Sequence, residues 1–357
     1  MKILHLLQSN RFSGAENVVL QIMGMFRGDS NIEMVYCCPD GPIREVLAGC
    51  GIPFVPVKKM SLFEIRRVIR EVKPTIIHAH DMRASFLTAL VCGCVPFVSH
   101  IHNNNFDSRK MTAKTVLYSW AARRARHIFW VSKSAFEGYY YRLKIAAKSS
   151  VLRNVVDTAQ IRERAASAER QDTYDVVYIG RLSYPKDPKR VIRVLEAVAK
   201  LDPSIRAAVV GNGEMAGDVR RLVEKSDVKD QIQLLGFIEN PLGIMKNAKV
   251  MIMTSLWEGM PISALEAMTL GVPLVCVPTD GLRELIVHGE TGYLSDNDDE
   301  LVRQCYKIIC EAETRERMSR EAVLRICDLM DLSAYHDRVS QVYNACIKKD
   351  GRRRETR

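Results

Sequence analysis

The chain has 357 residues, 47% of them hydrophobic and 26% charged, a balance that suits a globular protein long enough for two ordinary domains and excludes a fibrous or low-complexity one. Its net charge of +10 is confined to the first half: residues 1–157 hold 22 Lys+Arg against 11 Asp+Glu, leaving 30 against 31 for residues 158–357. No apolar run reaches the length of a bilayer span, "MKILHLLQS" is too short for a secretory signal, and the ten scattered cysteines lack the paired C-x2-C spacing of a zinc site, so a cytoplasmic protein with reduced thiols is expected.

In chain order, "KILHLL" reads as a buried strand, "QSNRFSGAE" as a polar loop containing Gly14, and "NVVLQIMGMF" as a helix. Strand, loop and helix recur with "EMVYCC", "TIIHAH" before "RASFLTALVCG", "PFVSHIH" before "SRKMTAKTVLYSWAARRAR", and "HIFWVS" before "KSAFEGYYYRL". A polar stretch, "TAQIRERAASAERQDT", breaks the alternation. It restarts with "YDVVYIG", "RAAVVG", "QIQLLG", "VMIMTS" and "PLVCVP", and residues 299–347 read as helices. Alternating buried strands and helices predict parallel strands with crossovers, hence an α/β fold of two tandem Rossmann-like units. The expected division is 1–157, 174–330, a C-terminal helix over 331–347 packing back on the first unit, and an unstructured basic tail over 348–357.

Several motifs fall in loops after strands, the edge where α/β sheets bind ligands. Gly14 follows the first strand. "GRLSYPKDP" opens the second unit and offers Arg181 and Lys186, a forked donor and a point charge suited to a diphosphate. "VGNGEMAG" carries Gly211, Gly213 and Gly217 with a spacing one residue too long for the dinucleotide fingerprint. "WEGMPISALEAM" puts Glu258 in a loop and Glu266 within a helix whose first position suits Pro261; free amides and the positive dipole end there favour a phosphate. "HAHD" and "SHIHNNN" place His78 with His80, and His100 with His102, each pair on one strand face. Their spacing does not single out a metal, and burial with hydrogen bonding explains them as well. Asp296 and Asp298 form a D-x-D that reads better as a helix cap than as a metal motif.

The ordered set of G-R-L-x3-K, E-x7-E and "LGVPLV" on a tandem α/β chain resembles the retaining glycosyltransferases of family 4, which have the GT-B fold of two Rossmann-like domains facing each other across a cleft. "GRLSYPK", "EGMPISALEAMTLGVPLV" and "DGLRELIVHGETGYL" carry the resemblance; "SGAE" departs from it where many members have Gly-Gly. The resemblance implies a transferase that takes a sugar from a nucleotide diphosphate, a UDP-sugar ahead of a GDP-sugar, to a glycan or lipid-diphosphate-linked acceptor of bacterial surface-polysaccharide type. It implies that Glu258 holds a sugar hydroxyl and Glu266 the ribose. The turn of Gly259, Met260, Pro261 and Ile262 then faces sugar and phosphate, while Arg181 and Lys186 stabilise the departing diphosphate. Gly14 allows close backbone approach, Gly211 lies on the donor side, Phe237 and Ile238 face the base, and His102 stands near the reacting sugar. No cofactor or metal is expected. An epimerase of the same fold lacks this motif set. A basic nucleic-acid-binding protein fits the charge but shows no motif, so no nucleic acid is expected.

The charge asymmetry bears on the acceptor, which the first domain binds in this fold. In "SRKMTAKTVLYSWAARRAR", Ala113, Val116, Leu117, Trp120 and Ala121 form a helical stripe flanked by Arg109, Lys110, Arg123 and Arg124. Either the stripe faces the sheet, or the helix rests on an anionic membrane surface, with "YYYRLK" at 139–144 adding to the patch and the enzyme peripheral at the inner face of the cell membrane.

Overall fold

The computed structural model describes residues 1–102 and 106–354. The asparagines of "SHIHNNN" and the last three residues of the basic tail lie outside the described residues. Two compact units emerge: Met1–Asn154 together with the chain from Leu332 onward, and Val155–Asp331.

The first unit is built on six parallel strands, β1 (Lys2–Leu6), β2 (Glu33–Cys37), β3 (Ile76–His80), β4 (Phe97–Ile101), β5 (His127–Trp130) and β6 (Ser149–Val151), in the order β2-β1-β3-β4-β5-β6. The second has β7 (Tyr174–Ile179), β8 (Ala207–Val210), β9 (Ile232–Gly236), β10 (Ala248–Met253), β11 (Leu274–Cys276) and β12 (Gly292–Leu294), also all parallel, in the order β12-β11-β10-β7-β8-β9. Helices cover strands buried on both faces, which is why the strands read as unbroken apolar runs. Every residue of β3 and β4 is buried, including His78, His80, Ser99 and His100. In each sheet the strand order reverses once, between β1 and β3 and between β10 and β7. The crevice outside the carboxyl ends at such a point is where doubly wound sheets take ligands.

The structure changes two expectations. The polar stretch after residue 157 is a helix, Thr158–Ala166, that opens the second unit; Asp157 accepts from the Gln160 amide at 3.0 Å as its cap, and only Ile161 and Ala165 are buried, too narrow a stripe to read in the sequence. The last helix runs from Leu332 through Arg354, so much of the expected unstructured tail is helical. That helix belongs to the first unit, where Tyr343 meets His78 at 2.7 Å and His336 packs on Phe26 with ring centroids 4.3 Å apart.

Two readings stood open for the helix Ala113–Arg124. It is capped by Thr112 and Thr115 and buries Thr115, Tyr118, Ser119, Ala121 and Ala122. The inward face is held by polar contacts: Tyr118 to Ser99 at 2.9 Å, and the Tyr139 hydroxyl donating to the Thr115 carbonyl at 3.1 Å. Of the apolar stripe only Ala121 faces the sheet, while Val116, Leu117 and Trp120 are exposed beside exposed Lys114, Arg123 and Arg124.

Candidate active site

At the reversal point of the second sheet, the loops after β7 and β10 are tied together. The Leu256 amide donates to the Pro185 carbonyl at 2.8 Å, and the Thr254 hydroxyl to the Asp187 carbonyl at 3.0 Å. Glu258 is buried in the second loop. Its carboxylate accepts from the Ser255 hydroxyl at 2.6 Å and is ion-paired with Lys186. Burial, aided by the Glu258 charge, raises the nearby Tyr178 phenol far above its usual range; that hydroxyl donates to the Arg181 carbonyl at 2.9 Å and fixes the loop. Lys186 is therefore not a free cation, because a buried carboxylate needs a counter-charge. Arg181 is exposed, and among the described residues its guanidinium has no acidic or hydrogen-bonding partner.

The helix Ile262–Thr269 follows, with Pro261 as its N-cap rather than its first residue. The Ala264 amide bonds back to Pro261, whereas no backbone carbonyl accepts from the amides of Ile262 and Ser263 among the described residues. Such unpaired first-turn donors are the usual anion site of a helix. Glu266 lies one turn in. It keeps a partial opening to solvent, yet protein atoms surround its carboxyl and push its pKa up to about 7, with Arg164 countering only part of that burial. No hydrogen bond to its carboxylate occurs among the described residues, so its acceptor capacity is open.

The loops of β8 and β9 continue the row. Gly211 has φ +141°, and a Cβ there would overlap the Gly180 carbonyl, so glycine is required by loop-on-loop packing. Gly281 is likewise pressed against the Gly259 carbonyl, which holds the 259–262 turn in place. Phe237, just past Gly236, is 68% exposed, and Ile238 is half-buried. With strands about 4.8 Å apart, the row from Glu258 through Arg181 and Gly211 to Phe237 spans roughly 14 Å. Asp296 and Asp298 lie elsewhere in function: Asn297 between them caps the next helix, accepting from the Glu300 amide at 3.1 Å, and Asp298 is ion-paired with Arg190 at 2.6 Å.

In the first unit, Gly14 is the first residue of the helix Gly14–Met25, and nothing of the chain lies within 4 Å of where its Cβ would be. No internal packing requires the glycine. His102 follows β4 and is buried among four other imidazoles: His5 from β1, His78 and His80 from β3, and His100 from β4. Burial holds His5 and His102 down at about 3 and the other three well below the usual value, so all five are neutral. His5 Nδ1 lies 3.1 Å from His80 Nε2, and His80 Nδ1 lies 2.8 Å from His102 Nε2. Ring nitrogens of His5, His78 and His80, and of His80, His100 and His102, approach within 4.8 Å of one another, close enough to share a metal ion. In both trios His80 is already hydrogen-bonded through each nitrogen. Asp81, at φ +71°, accepts from the His102 amide at 3.4 Å; burial raises its carboxyl to about 6 against the pull of Lys114. His5, Ser255 and Tyr343 were absent from the sequence-derived site. A lone histidine inside the apolar "KILHLL" was the available signal for the first.

The model for Glycosyltransferase Family 4 matches residues 12–160, and that for Glycosyl transferases group 1 matches residues 159–325. The UDP-Gal:alpha-D-GlcNAc-diphosphoundecaprenol alpha-1,3-galactosyltransferase of Escherichia coli is 26% identical over 84% of this chain and 85% of its own. The uncharacterized glycosyltransferase MJ1059 of Methanocaldococcus jannaschii is 25% identical over 66% of this chain, which spans 63% of that relative. Among solved structures, Anabaena Alr3699/HepE in complex with UDP and glucose superposes with a TM-score of 0.85 at 19% identity, over 97% of this chain and all of that one.

Proposed function

The chain belongs to the family-4 glycosyltransferases with the GT-B fold, and from that premise we propose that it is a retaining enzyme moving a sugar from a UDP-sugar to a lipid-diphosphate-linked glycan. The observation that carries this reading is the convergence, at one reversal point, of an unpartnered Arg181, a Lys186–Ser255–Glu258 cluster, open helix amides and an open Glu266 carboxylate. In this reading Glu266 accepts from the ribose hydroxyls, and Phe237 and Ile238 border the base. The amides of the 259–262 turn and Arg181 face the diphosphate. As negative charge builds on the leaving diphosphate, Arg181 and the helix end stabilise it, and Lys186 shifts part of its charge from Glu258 toward it. Glu258, released in part, takes a hydroxyl of the sugar. Gly14 and His102, in the first unit, belong to the acceptor side. These positive groups do the neutralising that a metal does in other transferases.

The acceptor assignment draws support from the Escherichia coli relative, whose name specifies a diphosphoundecaprenol-linked acceptor. The outward stripe of Val116, Leu117 and Trp120 with Arg123 and Arg124 supports a peripheral position on an anionic leaflet. No described helix is long and apolar enough to cross a membrane. The test is transfer of labelled sugar from a panel of UDP- and GDP-sugars to a synthetic lipid-diphosphate sugar, with NMR of the product's anomeric configuration. Retention with a UDP-sugar is expected; inversion, or no product with any donor, overturns the reading.

A further inference from the structure

Three imidazoles of the first unit form a chain with unusual arithmetic. His5, His80 and His102 are buried and meet at two nitrogen–nitrogen contacts, 3.1 and 2.8 Å. Neutral imidazole carries one proton on one of two nitrogens. Three rings therefore bring three protons to two contacts. Each contact needs one proton: with none, two lone pairs face each other, and with two, the hydrogens collide. Only two arrangements satisfy both contacts. In one, all three rings are protonated at Nδ1 and the spare N–H is on His102. In the other, all three are protonated at Nε2 and the spare N–H is on His5. The two end atoms, His102 Nδ1 and His5 Nε2, are buried and without a hydrogen-bond partner among the described residues. A mixed state breaks a contact, so the rings switch together.

We infer that His5, His80 and His102 act as one tautomeric unit, in which His80 is a positioning residue that sets the tautomer of His102. The inference rests on the proposed role of His102 on the acceptor side. A donor to His102 Nδ1 selects the second arrangement, and an acceptor there selects the first. Either choice is transmitted to His5, which makes no ring contact with His102 among the described residues. Burial keeps the three rings neutral near pH 7, which the counting requires. The neighbours that bias the chain are His78, stacked on His80 at 4.4 Å and held by Tyr343, His100 beside His102 at 4.1 Å, and Asp81, which holds the His102 amide.

The test uses the full chain with histidine labelled in the ring nitrogens, whose NMR shifts distinguish the two tautomers; His102→Gln assigns the His102 signals. His5→Leu, remote from His102, is expected to move the His102 ring shifts, and His80→Leu to leave His102 a mixture of both forms. In the same His80→Leu protein, kcat should fall about 10- to 100-fold, as for loss of an orienting partner, with KM for the donor little changed. Unchanged His102 shifts in His5→Leu overturn the inference, even if His80→Leu fails to fold. Shifts that move when EDTA is added to the native protein overturn it as well, because a metal then occupies the contacts. UDP binding, measured alongside, reports on the proposed function separately.

Discussion

Glu266 pays for its place with a carboxyl held at about 7, and that gives its role a measurable signature. A carboxyl whose folded value lies above its unfolded one holds extra protons in the native state, so stability falls as pH rises from about 4.5 to about 7. Glu266→Gln removes that penalty. It should raise Tm at pH 8, leave Tm nearly unchanged at pH 4.5, and weaken UDP; a thermal scan at both pH values with UDP titration checks all three. Arg181 and Lys186 should separate in the same way. Arg181→Ala should lose about 2–4 kcal/mol of transition-state stabilisation at unchanged Tm, since the side chain is exposed. Lys186→Ala should lose activity and also stability, by about 1–3 kcal/mol, because it leaves Glu258 buried without its counter-ion. Activity should survive EDTA, since Asp298 is engaged by Arg190 rather than open to a cation. Loss on chelation restored by manganese would contradict that. The sequence brought Arg181, Lys186, Glu258 and Glu266 to one edge through their positions after strands. It could not reveal that Lys186 is paired with a residue 72 positions away, which depends on how the two loops pack.

At the scale of elements, strands were more legible than helices. Ten strands announce themselves as apolar runs because parallel strands are buried on both faces. The two that did not, β6 and β12, read Ser-Ser-Val and Gly-Tyr-Leu and so present no apolar run, unlike the equally short Leu-Val-Cys of β11. Leu62–Val72, a highly charged amphipathic helix, went unassigned, and the histidine chain depends on register, His80 lying beside His100 across β3 and β4. The helix Ala113–Arg124 carries the sharpest element-level prediction. Its sequence stripe left an inward and an outward orientation open, and Tyr118 with its hydroxyl partner takes the inward place while Leu117 and Trp120 are exposed. Trp120→Ser with Leu117→Ser should leave Tm and soluble-substrate turnover unchanged. It should reduce sedimentation with anionic liposomes at low salt, as should Arg109, Lys110, Arg123 and Arg124 changed to Ser. Equal sedimentation of all variants would remove the membrane reading and favour a soluble acceptor.

Across the whole molecule the two units respond to pH in opposite senses. Six histidines of the first are held below their usual values, so below about 6.5 the unfolded chain takes up protons that the fold refuses, and stability falls as pH drops. Glu266 in the second unit pulls the other way. The first unit should therefore be the acid-labile one, and His100→Phe, which replaces a ring whose two nitrogens have no hydrogen-bond partner among the described residues, should flatten the loss of Tm between pH 6.5 and 4.5. The central claim is that the second unit's edge is a nucleotide-sugar site with two distinct carboxylates. Calorimetric titration of UDP and of its sugar conjugates into the native chain, Glu258→Ala and Glu266→Ala tests it most directly. The account predicts that Glu266→Ala weakens both ligands, whereas Glu258→Ala weakens the UDP-sugar and spares bare UDP. Equal losses for bare UDP in the two variants, or no UDP binding by the native chain, would contradict it.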